Sequence, residues 1–155
     1  MSLKEHYTAF LRERLQSRSD DLRTALMPLL REPPSMKCQI EIAIFPDDGL
    51  TEQPPILVHA FGPDGMQIRD VDGVAHSNDL LRTMPPLIST DERDRFYVWE
   101  GEGRDRMIAL EQPTDDVDKA LLRVWVRNAW QGLDKGEYRC RTAIVVHDDE
   151  DIEIL

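Results

Sequence analysis

Pro113-Thr114-Asp115-Asp116-Val117-Asp118-Lys119-Ala120-Leu121-Leu122-Arg123-Val124-Trp125-Val126-Arg127-Asn128-Ala129-Trp130-Gln131-Gly132 is the stretch that decides how this chain is put together. Thr114 has the chemistry of an N-cap, and two aspartates follow it at the positive end of a helix dipole. Gly132 is a natural stop, so the spacing predicts a helix over 115–131. Val117, Leu121, Leu122, Val124, Trp125, Val126 and Ala129 cover most of its circumference. Lys119, Arg123 and Arg127 are left as one narrow polar stripe. A helix this apolar has to be enclosed, with a sheet beneath and something else over its flanks.

The natural cover lies at the other end of the chain. Leu11, Leu15, Leu22, Leu26 and Leu29, with Tyr7 and Phe10 beside them, recur at helical spacing. Ser17-Arg18-Ser19-Asp20-Asp21 interrupts them with cap-type residues, so one long helix or two in series fit equally. Pro28 ends or kinks the run, and Pro33-Pro34 closes it. Met1-Ser2-Leu3 has the form of a cloning scar and is given no functional weight. No apolar leader precedes the helix, which makes the cytoplasm the expected compartment.

Strands fill the middle. Cys38, Ile40, Ile42 and Ile44 alternate with Lys37, Gln39, Glu41 and Ala43, as expected of an antiparallel sheet with one wet face. Residues 56–61 read as a more central strand. Gly62-Pro63-Asp64-Gly65 turns the chain into Met66, Ile68 and Val71, and Asp72-Gly73 reads as a second hairpin turn. Residues 77–82 read as a helical turn or two, and 87–94 as a polar loop. Residues 96–99 and 107–110 read as paired strands, 138–147 as a long strand and 152–155 as a short edge strand. The expected fold class is therefore α+β in a single domain, 1–155. Its sheet is mostly antiparallel, of five to seven strands, with the N-terminal helix or helix pair and the 115–131 helix packed on one face.

Composition narrows the function. The 155 residues carry 19 Lys and Arg against 30 Asp and Glu, a net charge of -11. Nucleic-acid binding needs a cationic surface, so none is expected. No apolar run approaches the ~20 residues of a membrane span. The cysteines, Cys38 and Cys140, match no metal or redox spacing; they read as small buried hydrophobes, with a cross-strand disulfide as the alternative. Fifteen of the basic residues are arginine.

Signatures of chemistry are missing. There is no phosphate-cradling glycine loop, no nucleophile elbow and no His-Glu-x-x-His. Gly101-Glu102-Gly103 lacks the third glycine and puts a carboxylate where a phosphate would sit. Asp70-Val71-Asp72-Gly73 lacks the remaining ligands of a calcium loop. His59 and His147 each fall in a strand-like run and could meet on one sheet face, with Asp148 to orient a ring or add a ligand. The acidic tetrad 148–151 reads as a solvated turn that protects a sheet edge. Lys119, Arg123 and Arg127 are candidates for anion binding. The competing reading pairs them with the chain's surplus carboxylates. Tyr97 and Trp99 share a strand face that alternation would leave wet, which marks them as interaction candidates.

In the order of its first eight elements the chain resembles small acidic secretion chaperones, a resemblance carried by element order alone. It implies a dimer that binds client proteins; the final strands depart from that order. The expectation is a non-enzymatic protein-binding or regulatory module, chaperone-like or immunity-like, without a cofactor. Its partner would be another protein, the simplest being a second copy. The alternative is a small-ligand or metal-dependent enzyme built on His59, His147 and Asp148.

Overall fold

The computed structural model describes residues 2–31, 39–46, 50–51, 55–69, 71–100, 108–111 and 115–155. In chain order the elements are α1 (Leu3–Ser17), α2 (Ser19–Leu26), a 3-10 turn (Met27–Leu30), β1 (Gln39–Ile44), β2 (Ile56–Phe61) and β3 (Gln67–Ile68). They continue with α3 (Asp72–Thr83), α4 (Thr90–Asp94), β4 (Val98–Glu100), β5 (Ile108–Glu111), α5 (Asp115–Gln131), β6 (Arg141–Val146) and β7 (Ile152–Ile154). The class is α+β, with a five-stranded mixed sheet in the order β3-β2-β1-β6-β7 and a separate β4-β5 pair.

The alternation in β1 organises the sheet. Ile40, Ile42 and Ile44 are fully buried, and in register they meet Ala60, Val58 and Ile56 on β2 and Thr142, Ile144 and Val146 on β6. All nine side chains share the face that meets the helices. The β1–β2, β2–β3 and β6–β7 pairs are antiparallel, but β1–β6 is parallel. Alternation on one face does not distinguish the two directions. The crossover does: α5 packs against both β1 and β6 and returns the chain to the end of the sheet where β1 begins.

Helix α5 buries Val117, Leu122, Trp125, Val126, Ala129 and Trp130. Both α1 and α2 pack on it, and Leu11, Leu15, Leu22 and Leu26 join the same core. Each fully buried leucine stabilises the fold by roughly 1.5–3 kcal/mol. The N-terminal region is two helices in series, broken at Arg18, whose φ of -105° and ψ of 5° leave the helical region. Ser2 is the N-cap of α1. Its hydroxyl accepts from the Glu5 N–H, and the Glu5 carboxylate accepts from the Ser2 N–H at 2.6 Å. Ser2 and Glu5 thus form a capping box. Pro28 sits in the 3-10 turn, where its missing N–H costs no ladder bond.

Three local expectations are corrected. Asp72-Gly73 opens helix α3 instead of turning a hairpin. Gly73 is there because the helix crosses the 3-10 turn closely: a Cβ would lie 2.6 Å from the Pro28 carbonyl oxygen. Residues 89–94 are not loop; Ser89 and Glu92 form a second capping box around α4. The last long strand starts at Arg141, not Tyr138, whose N–H closes a turn onto the Lys135 carbonyl. Thr114 and Cys38 lie outside the described residues.

Helix α3 also seals an edge. β3 is two residues long, so among the described residues the outer edge of β2 has strand partners only at Ala60 and Phe61. The Asn78 side chain fills the gap, accepting from the Val58 N–H at 2.8 Å and donating to the Val58 carbonyl at 2.9 Å. One carboxamide thereby reproduces both bonds a neighbouring strand would make.

Candidate functional site

The strongest polar cluster is interior. Asp118 lies on the buried stripe of α5, one turn before Leu122, and is fully enclosed. The Tyr7 hydroxyl donates to Asp118 Oδ1 at 2.6 Å, and Arg93 Nη2 donates to Oδ2 at 3.2 Å. Tyr97, half-buried just beyond α4, adds a side-chain hydrogen bond with Arg93. Phe96 stacks edge-on to Tyr7 at 5.1 Å and lies 5.3 Å from Phe10. Burial first, and the Asp118 acceptor second, push the Tyr7 phenol well above its ordinary range. Burial alone would lower Arg93, but the Asp118 carboxylate beside it holds it above its usual value. With a partner on each Asp118 oxygen and the phenol held protonated, the cluster is a clamp joining α1, the end of α4 and α5. It offers neither a free base nor a nucleophile.

The basic stripe is answered by carboxylates. Arg123 Nη2 lies 3.4 Å from Asp149 Oδ2, and Arg127 is hydrogen-bonded to Glu153 through Nε and Nη2. Lys119 is half-buried on the same helix. The pairs fasten α5 to β7 and to the turn before it, where Asp148 takes a φ of 64°. Glu92 on α4 is gripped similarly. Arg14 hydrogen-bonds it through both terminal nitrogens, at 2.7 and 3.3 Å, and the Ser89 backbone adds a third donor. These bonds hold its carboxyl down at about 2.

The two strand histidines share a face without meeting. His59 is on β2, its Nδ1 3.3 Å from Gln67 Nε2; His147 follows β6, its Nδ1 3.2 Å from Asp148 Oδ2. Strand β1 runs between them. Among the described residues no three His, Cys, Asp or Glu gather as a metal cage. Trp99 is in β4, paired across from Ala109; its side chain lies outside the described residues. Cys140 is half-buried against the core.

The face those histidines occupy is the sheet's second surface. Register aligns Leu57, Ala43, Val145 and Ile152 in one row and His59, Glu41, Ala143 and Ile154 in the next. Phe61, Gln39 and Arg141 form a third, and Phe45 and His147 stack at 5.3 Å beyond the first. Ile152 and Ile154 are 57% and 49% exposed. Ala43, Phe45, Leu57, Phe61 and Val145 are half-buried and do not belong to the core on the helical side. The sequence signal for this face was present in the second, less hydrophobic phase of the same strands, notably Leu57, Phe61 and Val145.

Comparison with protein-family models, with curated proteins and with solved structures finds no match for the chain. Among the described residues no helix is long and apolar enough to cross a membrane.

Proposed function

We propose that this chain is a non-enzymatic protein-binding module and that the second sheet face is its contact surface, used first of all by a second copy. The observation that carries the reading is the row Leu57–Ala43–Val145–Ile152: four apolar side chains in register across four strands, on the face away from the helices. A sheet whose second face is apolar commonly packs on another sheet, and an isologous two-fold contact is the simplest way to supply one. The face is also nearly neutral. Glu41 and Arg141 are the carboxylate and guanidinium of its three rows, in a chain of net charge -11. Edge-to-edge pairing is the poorer route, because β7 is three residues long and follows an acidic turn.

Light scattering across a concentration and salt series tests this. The expected result is a dimer that persists or tightens as salt screens the repulsion between two acidic chains. Val145→Lys places a charge in the middle of the apolar row and should yield a monomer with an unchanged far-UV circular dichroism spectrum. A wild-type chain that stays monomeric at every salt and concentration would refute the self-association.

A further inference from the structure

Granted the self-contact proposed above, on which this inference rests, the apolar row Leu57–Ala43–Val145–Ile152 decides where the two-fold axis runs. Two copies of a sheet that meet face to face are related by an axis lying in the plane between them. For the row to cover its own copy, that axis must run along the row, across the strands. Sheets stacked this way keep their strands within about 30° of each other. The axis then exchanges whatever lies on either side of the row. Glu41 is two residues before Ala43 on β1, and His147 is two residues after Val145, just past the end of β6. Each is one row from the axis, about 7 Å along the strands, and they lie on opposite sides of it. Rotation sets the Glu41 carboxylate of one copy against the Phe45–His147 pair of the other.

Each group has a vacancy for the other. Glu41 is half-buried and accepts from the Gln39 side-chain amide at 2.9 Å; among the described residues no cation answers it. Within its own chain His147 faces Asp148, whose Oδ2 is 3.2 Å from Nδ1, and the Phe45 ring. Asp149 is turned to Arg123 on α5, and β7 brings Ile152 to the adjoining row. Nδ1 is thus engaged, and Nε2 has no partner among the described residues. Arg141, the guanidinium of this face, is one row beyond Glu41; the same axis carries it past the Phe45–His147 pair, and it is exposed. We infer that Glu41 and His147 of two copies pair reciprocally across the two-fold, Nε2 of the protonated ring donating to the carboxylate, so that the dimer tightens as histidine gains its proton. A carboxylate enclosed against an apolar sheet without a cation is costly, and the two symmetric pairs relieve that cost in both copies. They also fix the register, since an axis one half-row away would set Glu41 on Ala43 and Val145 instead.

Sedimentation equilibrium of the full chain at about pH 8 and about pH 6 brackets the window in which histidine changes charge. Acid lowers the repulsion between any two acidic chains, so the substitutions carry the test. In the acidic buffer Glu41→Gln and His147→Gln should each weaken the dimer about three- to tenfold, and the double variant no further than either single. In the alkaline buffer Glu41→Gln should associate at least as tightly as wild type, because the carboxylate there meets a neutral ring and Asp148. Additive losses, or a Glu41→Gln dimer as tight as wild type in acid, would overturn the pair; if Val145→Lys still breaks that dimer, the sheet-face contact stands without it. A wild-type chain monomeric in both buffers would overturn the pair and the contact together.

Discussion

Asp118→Asn is the most informative single change in this molecule. It keeps the side chain's shape and removes its charge, so the Arg93 guanidinium, whose side chain is only 12% exposed, loses its counter-ion. Breaking one half of an enclosed ion pair costs about 3–5 kcal/mol, because the remaining charge stays desolvated without compensation. For a chain of this length each kcal/mol moves the melting temperature by roughly 2–4 °C, so the expected fall is on the order of 6–20 °C. Tyr7→Phe deletes a hydrogen bond to a charged acceptor and should cost less, about 1.5–3 kcal/mol. The cost of Asp118→Asn is assigned to the orphaned guanidinium, so it has a specific remedy. Combining Asp118→Leu with Arg93→Met replaces both charges by apolar groups and should be markedly more stable than Asp118→Leu alone. Urea and thermal melts of the set decide the matter. A loss under about 1 kcal/mol for Asp118→Asn, or a double variant no better than the single, would refute the clamp.

Other outcomes follow from the same geometry. Because Glu92 titrates near 2 in the fold against 4.5 ordinarily, its contribution is complete above pH 4.5 and disappears as pH falls toward 2. Glu92→Gln should therefore be less stable than wild type at neutral pH and converge with it in acid, as melts across pH read directly. The raised Tyr7 phenol acts at the other limit: its contribution is intact below about pH 10 and is lost above it, so Tyr7→Phe should flatten the alkaline arm of the stability profile. Gly73→Ala drives a Cβ into the Pro28 carbonyl and should destabilise by about 1–3 kcal/mol in denaturant melts, despite alanine's better helix propensity. Asn78→Leu strips the Val58 backbone of both partners. It should raise the hydrogen-exchange rate of the Val58 amide far more than those of β1.

The elements that sequence revealed are those whose local pattern and tertiary role agree. β1 alternates because one of its faces is buried, and α5 is apolar on most sides because it lies between the sheet and α1–α2. Helix α3 was hidden by Gly73, which reads as a breaker and is in fact a point of close approach to a turn more than forty positions earlier. The Ser89…Glu92 box was legible in principle and was obscured by the polarity of a five-residue helix that buries none of its residues. The parallel β1–β6 pair had no local trace. For the interior cluster, Tyr7, Arg93 and Asp118 are too far apart in sequence to suggest one another. The one signal was Asp118 itself, a carboxylate in phase with Leu122, Trp125 and Ala129, which required a partner somewhere. The pairing of Arg123 and Arg127 with acidic residues was readable from charge balance, although not the identity of Asp149 and Glu153.

The parallel contact at the centre of the sheet imposes an order of events on a growing chain. Gln39 finds its neighbour Arg141 only after about a hundred further residues have been made, and Ile44 waits equally long for Val146. Until then β1 can pair on one side alone, with β2, and its other edge stays open to any extended peptide nearby. Synthesis at roughly 5–20 residues per second makes that interval several seconds or more. A chain halted between Phe61 and Arg141 has an isoleucine-rich strand paired on one side only, without the neighbour that links it to the far part of the sheet. Closing that long loop is also the step that should limit refolding of the whole chain, since the entropy of joining distant segments is spent before the contact returns anything.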